Sequence, residues 1–114
     1  MKNVLIVDDD EFNVLVFKYY LSLNTICNIF IAKNGLVSIK IFDENDIDLI
    51  LMDINMPIMD GIEATKQIRL RNKKCIILAC SAQNNTNYNI LGFDGFYIKP
   101  IMESDFKEII QKYL

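Results

Sequence analysis

The sequence predicts an α/β fold in which a parallel β-sheet is covered by helices on both faces. Short aliphatic runs alternate with longer segments of helical spacing, five times over. Such alternation implies parallel strands joined by right-handed crossovers. The runs are continuously apolar rather than alternating, as a strand buried on both faces requires. With 114 residues, of which 52% are hydrophobic and 24% charged, the chain is too apolar for intrinsic disorder and has room for one core. A single domain over residues 1–114 is therefore expected.

The elements follow in order. NVLIV (3–7) is the first strand and delivers Asp8, Asp9 and Asp10 at its carboxyl end. EFNVLVFKYYL (11–21) has helical spacing, with Asp10 placed to cap it. Its Phe12, Phe17, Tyr19 and Tyr20 leave the helix apolar around more of its circumference than packing on one sheet face needs. NIFIA (28–32) is the second strand and ends in Ala32, Lys33 and Asn34; LVSIKIF (36–42) is the helix after it.

DLILM (48–52) is the third strand, and it delivers Asp53 before the chain breaks into Asn55, Pro57 and Gly61. Pro57 and Gly61 predict a tight loop, with Gly61 in a backbone geometry that other residues resist. Asp60 is placed to cap the third helix, GIEATKQIRL (61–70). The basic run RLRNKK (69–74) reads as a solvated helix end and turn. CIILAC (75–80) is the fourth strand and ends in Ser81 and Ala82. The fourth helical segment, NTNYNIL (85–91), is the weakest element, because QNNTNYN is rich in poor helix formers. GFYI (95–98) is the fifth strand, ending in Lys99 and Pro100, with Phe96 and Tyr97 pointing to opposite faces. ESDFKEIIQKYL (103–114) closes the chain as a helix. Met52, Met56 and Met59 read as flexible packing residues.

A formal net charge of −3 argues against a domain that grips nucleic acid. No apolar run approaches the roughly 18 residues of a membrane span, and the start MKNVLIVDDD turns acidic too soon for a secretory signal. A cytosolic location is expected. Cys27, Cys75 and Cys80 are odd in number and lack metal spacing, which fits reduced thiols. Histidine is absent. That excludes a histidine general base, a His-ligated zinc site and a phosphohistidine carrier.

In a parallel sheet of this kind, ligands bind beyond the carboxyl ends of the strands. Those ends offer Asp8, Asp9, Asp53, Ser81 and Lys99. Clustered carboxylates repel one another, and a cation makes them tolerable at neutral pH. An all-oxygen set points to Mg²⁺. Asp9 and Asp53 are the expected direct ligands, with Asp8 acting mainly through a water and the Asn55 backbone carbonyl supplying a further oxygen. A carboxylate oxygen of Asp53 is then placed to attack phosphorus, giving an aspartyl phosphate. Lys99 and the Ser81 hydroxyl would hold the phosphoryl oxygens.

VDDDEFN, LILMDINMPIMDG, CSA and IKPI together resemble the receiver domain of two-component response regulators, over essentially the whole chain and in the right order. MDINMPIMDG looks closest to receivers of hybrid histidine kinases. The resemblance implies a flavodoxin-like (βα)5 three-layer sandwich with strand order 2-1-3-4-5. It implies phosphorylation of Asp53 by a histidine kinase or histidine phosphotransfer protein, with Asp8, Asp9 and Asn55 around Mg²⁺. It also implies a switch made of Ser81 and Phe96, a phosphate-contacting Lys99, and a cis Lys99–Pro100 bond. Output to a downstream protein would use the surface of the fourth helix, fifth strand and fifth helix; and because phosphotransfer partners of the family dock beside the first helix, its surplus apolar surface is expected to be a docking surface, with Tyr19 and Tyr20 as its test positions. Self-phosphorylation from small phosphodonors and self-dephosphorylation are expected, and no nucleic acid or membrane is expected as partner. Asp10 stands where such receivers often have Asn, Ser81 replaces a more frequent Thr, and the interval from Ser81 to Lys99 is about two residues short for the family. Asn55 and Gln83 occupy the positions that tune phosphoryl lifetime.

Two other readings compete. A haloacid-dehalogenase-like phosphohydrolase uses a similar set but needs a second acid two residues after the nucleophile, and that position is Asn55. A degenerate receiver that only binds a protein is opposed by the complete set of Asp8, Asp9, Asp53, Ser81 and Lys99.

Overall fold

The computed structural model describes residues 1–72, 74–82 and 91–114. Five strands, β1 (Lys2–Val7), β2 (Cys27–Ala32), β3 (Leu49–Asp53), β4 (Ile76–Ser81) and β5 (Gly95–Ile98), form one parallel sheet in the order β2-β1-β3-β4-β5. Four described helices cover it: α1 (Glu11–Asn24), α2 (Gly35–Glu44), α3 (Gly61–Arg71) and α4 (Glu103–Tyr113). This is the flavodoxin-like architecture expected from the sequence. The fourth predicted helical segment and Gln83 lie outside the described residues, apart from Leu91; α4 corresponds to the fifth predicted segment.

Every residue of β3 is buried, which explains its unbroken aliphatic run. Alternation along the strands divides the core into two layers. Leu5, Val7, Ile50, Met52, Ile77 and Ala79 face α2 and α3, where they meet Phe42, Ala64 and Ile68. Val4, Ile6, Leu49, Leu51, Leu78 and Cys80 face α1 and α4, where they meet Phe17, Leu21, Phe106 and Ile109.

Side chains start three of the helices. Asp10 accepts from the Phe12 amide at 2.9 Å, Asn34 from Val37 at 2.9 Å and Asp60 from Glu63 at 2.8 Å. The Lys99–Pro100 bond is cis. Cys75 and Cys80 are buried free thiols whose pKa burial pushes up to about 12, and Cys27 is half-buried, its thiol also pushed up by burial. Met52 is in the core, and Met56 and Met59 pack against it.

Three expectations need correction. Gly61 does not take a left-handed backbone; the positive φ in this loop, 72°, belongs to Ile58. Glycine is needed at 61 because a Cβ there would lie 2.1 Å from the Asp53 carbonyl oxygen. Arg69 is not solvated: its guanidinium donates to the Gly92 carbonyl at 2.8 Å, the Cys75 carbonyl at 2.5 Å and the Asp94 carboxylate at 2.7 Å. The apolar surface of α1 is narrower than the composition suggested, since Phe17 is buried and Tyr20 packs against Phe106 with ring centroids 5.5 Å apart. What remains exposed is a stripe of Phe12, Leu15, Tyr19 and Leu23. Phe96 and Tyr97 do point to opposite layers, yet both are half-buried, because β5 is an edge strand.

Candidate functional site

The carboxyl ends of β1, β3 and β5 meet at one pole of the sheet. By alternation Asp8 continues the series Val4, Ile6; Asp53 continues Leu49, Leu51; and Lys99 follows Tyr97, so all three lie toward the α1 and α4 side. Ser81 continues Ile77, Ala79 and shares the opposite side with Phe96, which packs against the α2 and α3 layer. The predicted site residues therefore gather at one edge but straddle the sheet.

Asp8 and Asp53 are 3% and 6% exposed. Lys99 bridges them, its Nζ lying 3.1 Å from Asp53 Oδ1 and 3.2 Å from Asp8 Oδ2. The Asp10 amide donates to Asp8 Oδ1 at 2.9 Å, and the Asn13 side-chain amide approaches Asp8 Oδ2 at 3.5 Å. Asp9 is exposed, and one carboxylate oxygen from each of Asp8, Asp9 and Asp53 lies within 4.8 Å of the other two.

Burial is the main reason the Asp53 pKa rises to about 6; the negative charge of Asp8 adds to it. The charge and hydrogen bond of Lys99, and the Asn55 backbone N–H, work in the other direction. For Lys99, burial disfavours the ammonium, but Asp8 and Asp53 together outweigh it and raise its pKa. Among the described residues the site thus holds two buried carboxylates and one cation, an excess of negative charge. Three carboxylates so close, with no nitrogen or sulfur donor among them, fit a hard divalent ion such as Mg²⁺.

Asn55 is exposed and sends its backbone N–H to Asp53. Ser81 is 2% exposed at the last position of β4, and the Lys99 amide donates to its carbonyl at 2.8 Å. Asn13 belongs to no motif of its own in the sequence; its place in the first turn of the helix after the acidic pair was the available signal. Sequence reasoning also missed Asn34, whose side chain starts α2 where the polar end of β2 gave a hint.

Residues 4–111 match the family described as response regulator receiver domain, and the chain belongs to that family. It is thus a receiver domain of two-component signalling with an acidic pocket at Asp8, Asp9 and Asp53, consistent with a phosphoacceptor aspartate. It is 34% identical to Hybrid signal transduction histidine kinase G of Dictyostelium discoideum over 96% of the chain, which amounts to 3% of that kinase. It is 35% identical to the chemotaxis protein CheY of Bacillus subtilis, over 97% of this chain and 96% of that one. Among solved structures, the receiver domain of the Saccharomyces cerevisiae response regulator Ssk1, crystallised with the histidine phosphotransfer signaling protein Ypd1, superposes with a TM-score of 0.90 at 30% identity, covering 98% of this chain and 88% of that one. The response regulator TrrA of Thermotoga maritima, in complex with Mg²⁺-BeF, superposes with a TM-score of 0.86 at 27% identity over all of both chains.

Proposed function

We propose that this domain accepts a phosphoryl group on Asp53 from a phosphohistidine of a histidine kinase or histidine phosphotransfer protein. The observation that carries the reading is Lys99, whose ammonium sits between the Asp53 and Asp8 carboxylates at 3.1 and 3.2 Å. The relatives support it: one is a receiver captured with a phosphotransfer protein, another a regulator with Mg²⁺-BeF.

In the proposed reaction a carboxylate oxygen of Asp53 attacks phosphorus while the phosphorus–nitrogen bond of the donor breaks, and the imidazole leaves with that electron pair. Asp8, Asp9, Asp53 and the Asn55 backbone carbonyl would hold Mg²⁺, which supplies neutralisation of the phosphoryl charge. Lys99 exchanges its bond to Asp53 for one to a phosphoryl oxygen, and the Ser81 hydroxyl donates to another. Phe96, on the same side of the sheet as Ser81, turns inward as Ser81 moves, shifting the population of a surface on β5 and its flanking helices that a downstream protein reads. The cytosol is the compartment in which the domain would act. A phosphohydrolase reading is disfavoured because Asn55 offers no second acid.

Intact mass after incubation with Mg²⁺ and acetyl phosphate tests this reading. One hydroxylamine-labile phosphoryl adduct, lost in Asp53→Asn and without metal, is expected. A folded protein that gains no adduct and consumes no donor would leave a binding-only receiver. Donor consumption without an adduct would revive the hydrolase.

A further inference from the structure

β5 carries Phe96 and leads directly into Lys99, yet among the described residues it is the shortest strand, lies at the sheet edge and pairs only with β4. A short edge strand sets its register weakly unless something pins it. A one-residue slip would carry Lys99 about 3.3 Å along the strand and turn its side chain to the other face. That would break both contacts of its ammonium, at 3.1 and 3.2 Å.

The pin lies at the strand's other end. The Asp94 amide donates to the Ile77 carbonyl at 2.8 Å, and the Ile77 amide donates to Asp94 Oδ2 at 2.9 Å, which extends the β4–β5 ladder by one rung. The same oxygen accepts from Arg69 Nη2 at 2.7 Å. Arg69 Nε donates to the Gly92 carbonyl at 2.8 Å and Nη1 to the Cys75 carbonyl, so one guanidinium fixes the starts of both β4 and β5. Gly92 has φ of 99°, and a Cβ there would stand 3.2 Å from Arg69 Cγ. Register is chemically encoded here: the neighbours of Asp94, Phe93 and Gly95, have no carboxylate to offer Ile77 and Arg69.

Arg69 sits near the far end of α3, whose first residue packs on the Asp53 carbonyl. The helix therefore touches the nucleophile's strand at one end and holds the lysine's strand at the other. We propose that Arg69 and Asp94 are positioning residues for phosphoryl transfer, fixing the register of β5 and through it the place of Lys99 against Asp53. This inference rests on the function proposed above.

The test is a mutant cycle on the full chain, with acetyl phosphate and Mg²⁺ as probe and the rate of Asp53 adduct formation as readout. Arg69→Met, which keeps much of the aliphatic stem, is made alone and in a Lys99→Ala background. The milder Asp94→Asn, which keeps an oxygen for the Ile77 amide, serves if Arg69→Met fails to fold. If Arg69 acts through Lys99, its loss slows the parent about ten-fold and the Lys99→Ala protein by less than about two-fold. Hydrogen exchange should quicken at β5 amides and stay unchanged in β1 and β3. An equal slowing in both backgrounds, or none in a folded variant, overturns the positioning role. No adduct in the parent overturns the proposed function and this inference with it, which separates the two failures.

Discussion

Asp53 is a carboxyl group held where its charged form is costly. Its pKa near 6 lies above the roughly 3.9 of an exposed aspartate, so the folded protein binds the proton more tightly than the unfolded chain does. That contribution to stability is complete below about pH 4 and is lost as pH rises through about 6. In EDTA, urea unfolding should show stability falling by about 1–3 kcal/mol across that interval, a fall that Asp53→Asn flattens. At Lys99 the sign of the charge is what matters. Lys99→Met should leave a folded protein whose Asp53 is phosphorylated by acetyl phosphate at least about ten-fold more slowly, since a charge-assisted contact to the transferring group is gone.

Elements show where sequence reasoning succeeded and where it could not. Each of the five strands and four described helices was legible: in β1, β3 and β4 burial on both faces writes an unbroken aliphatic run, the edge strands β2 and β5 are apolar although only half-buried, and burial on one face writes helical spacing. Asp8, Asp9, Asp53 and Lys99 were legible as strand ends. The role of Arg69 was not: its partners Gly92 and Asp94 are 23 and 25 residues away, and no local pattern announces such a contact. Gly61 was legible as a constraint but for the wrong reason, since crowding from another backbone segment leaves no trace in a turn motif. Gly61→Ala should displace the start of α3 from Asp53, lowering stability by about 2–3 kcal/mol in a denaturant titration and slowing phosphorylation. For α1, exposure selects the test positions. Replacing Phe12, Leu15 and Tyr19 with polar residues should slow transfer from a phosphohistidine protein while leaving the rate with acetyl phosphate unchanged. Equal loss with both donors would remove the docking role.

At the scale of the whole molecule, the two core layers meet a single acidic pole. An ion bound there by the folded state alone stabilises the whole domain by mass action, about 2.7 kcal/mol at one hundred times its dissociation constant. Saturating Mg²⁺ should therefore raise the melting temperature by about ten degrees for a domain of this size, and Asp9→Asn should diminish that rise in a calorimetric scan.

The division of the sheet into two sides carries a last consequence. Its interior is filled by apolar side chains on both faces, so under the proposed function a change at Asp53 and Lys99 would reach Ser81 and Phe96 around the strand ends rather than through the core. Under that proposal, insulation and signalling would occupy different parts of one barrier. Truncations deep in opposite layers, such as Ile68→Val and Leu21→Ala, should simply sum in their cost to stability, whereas paired changes at Lys99 and Ser81 should not sum in their effect on phosphoryl chemistry.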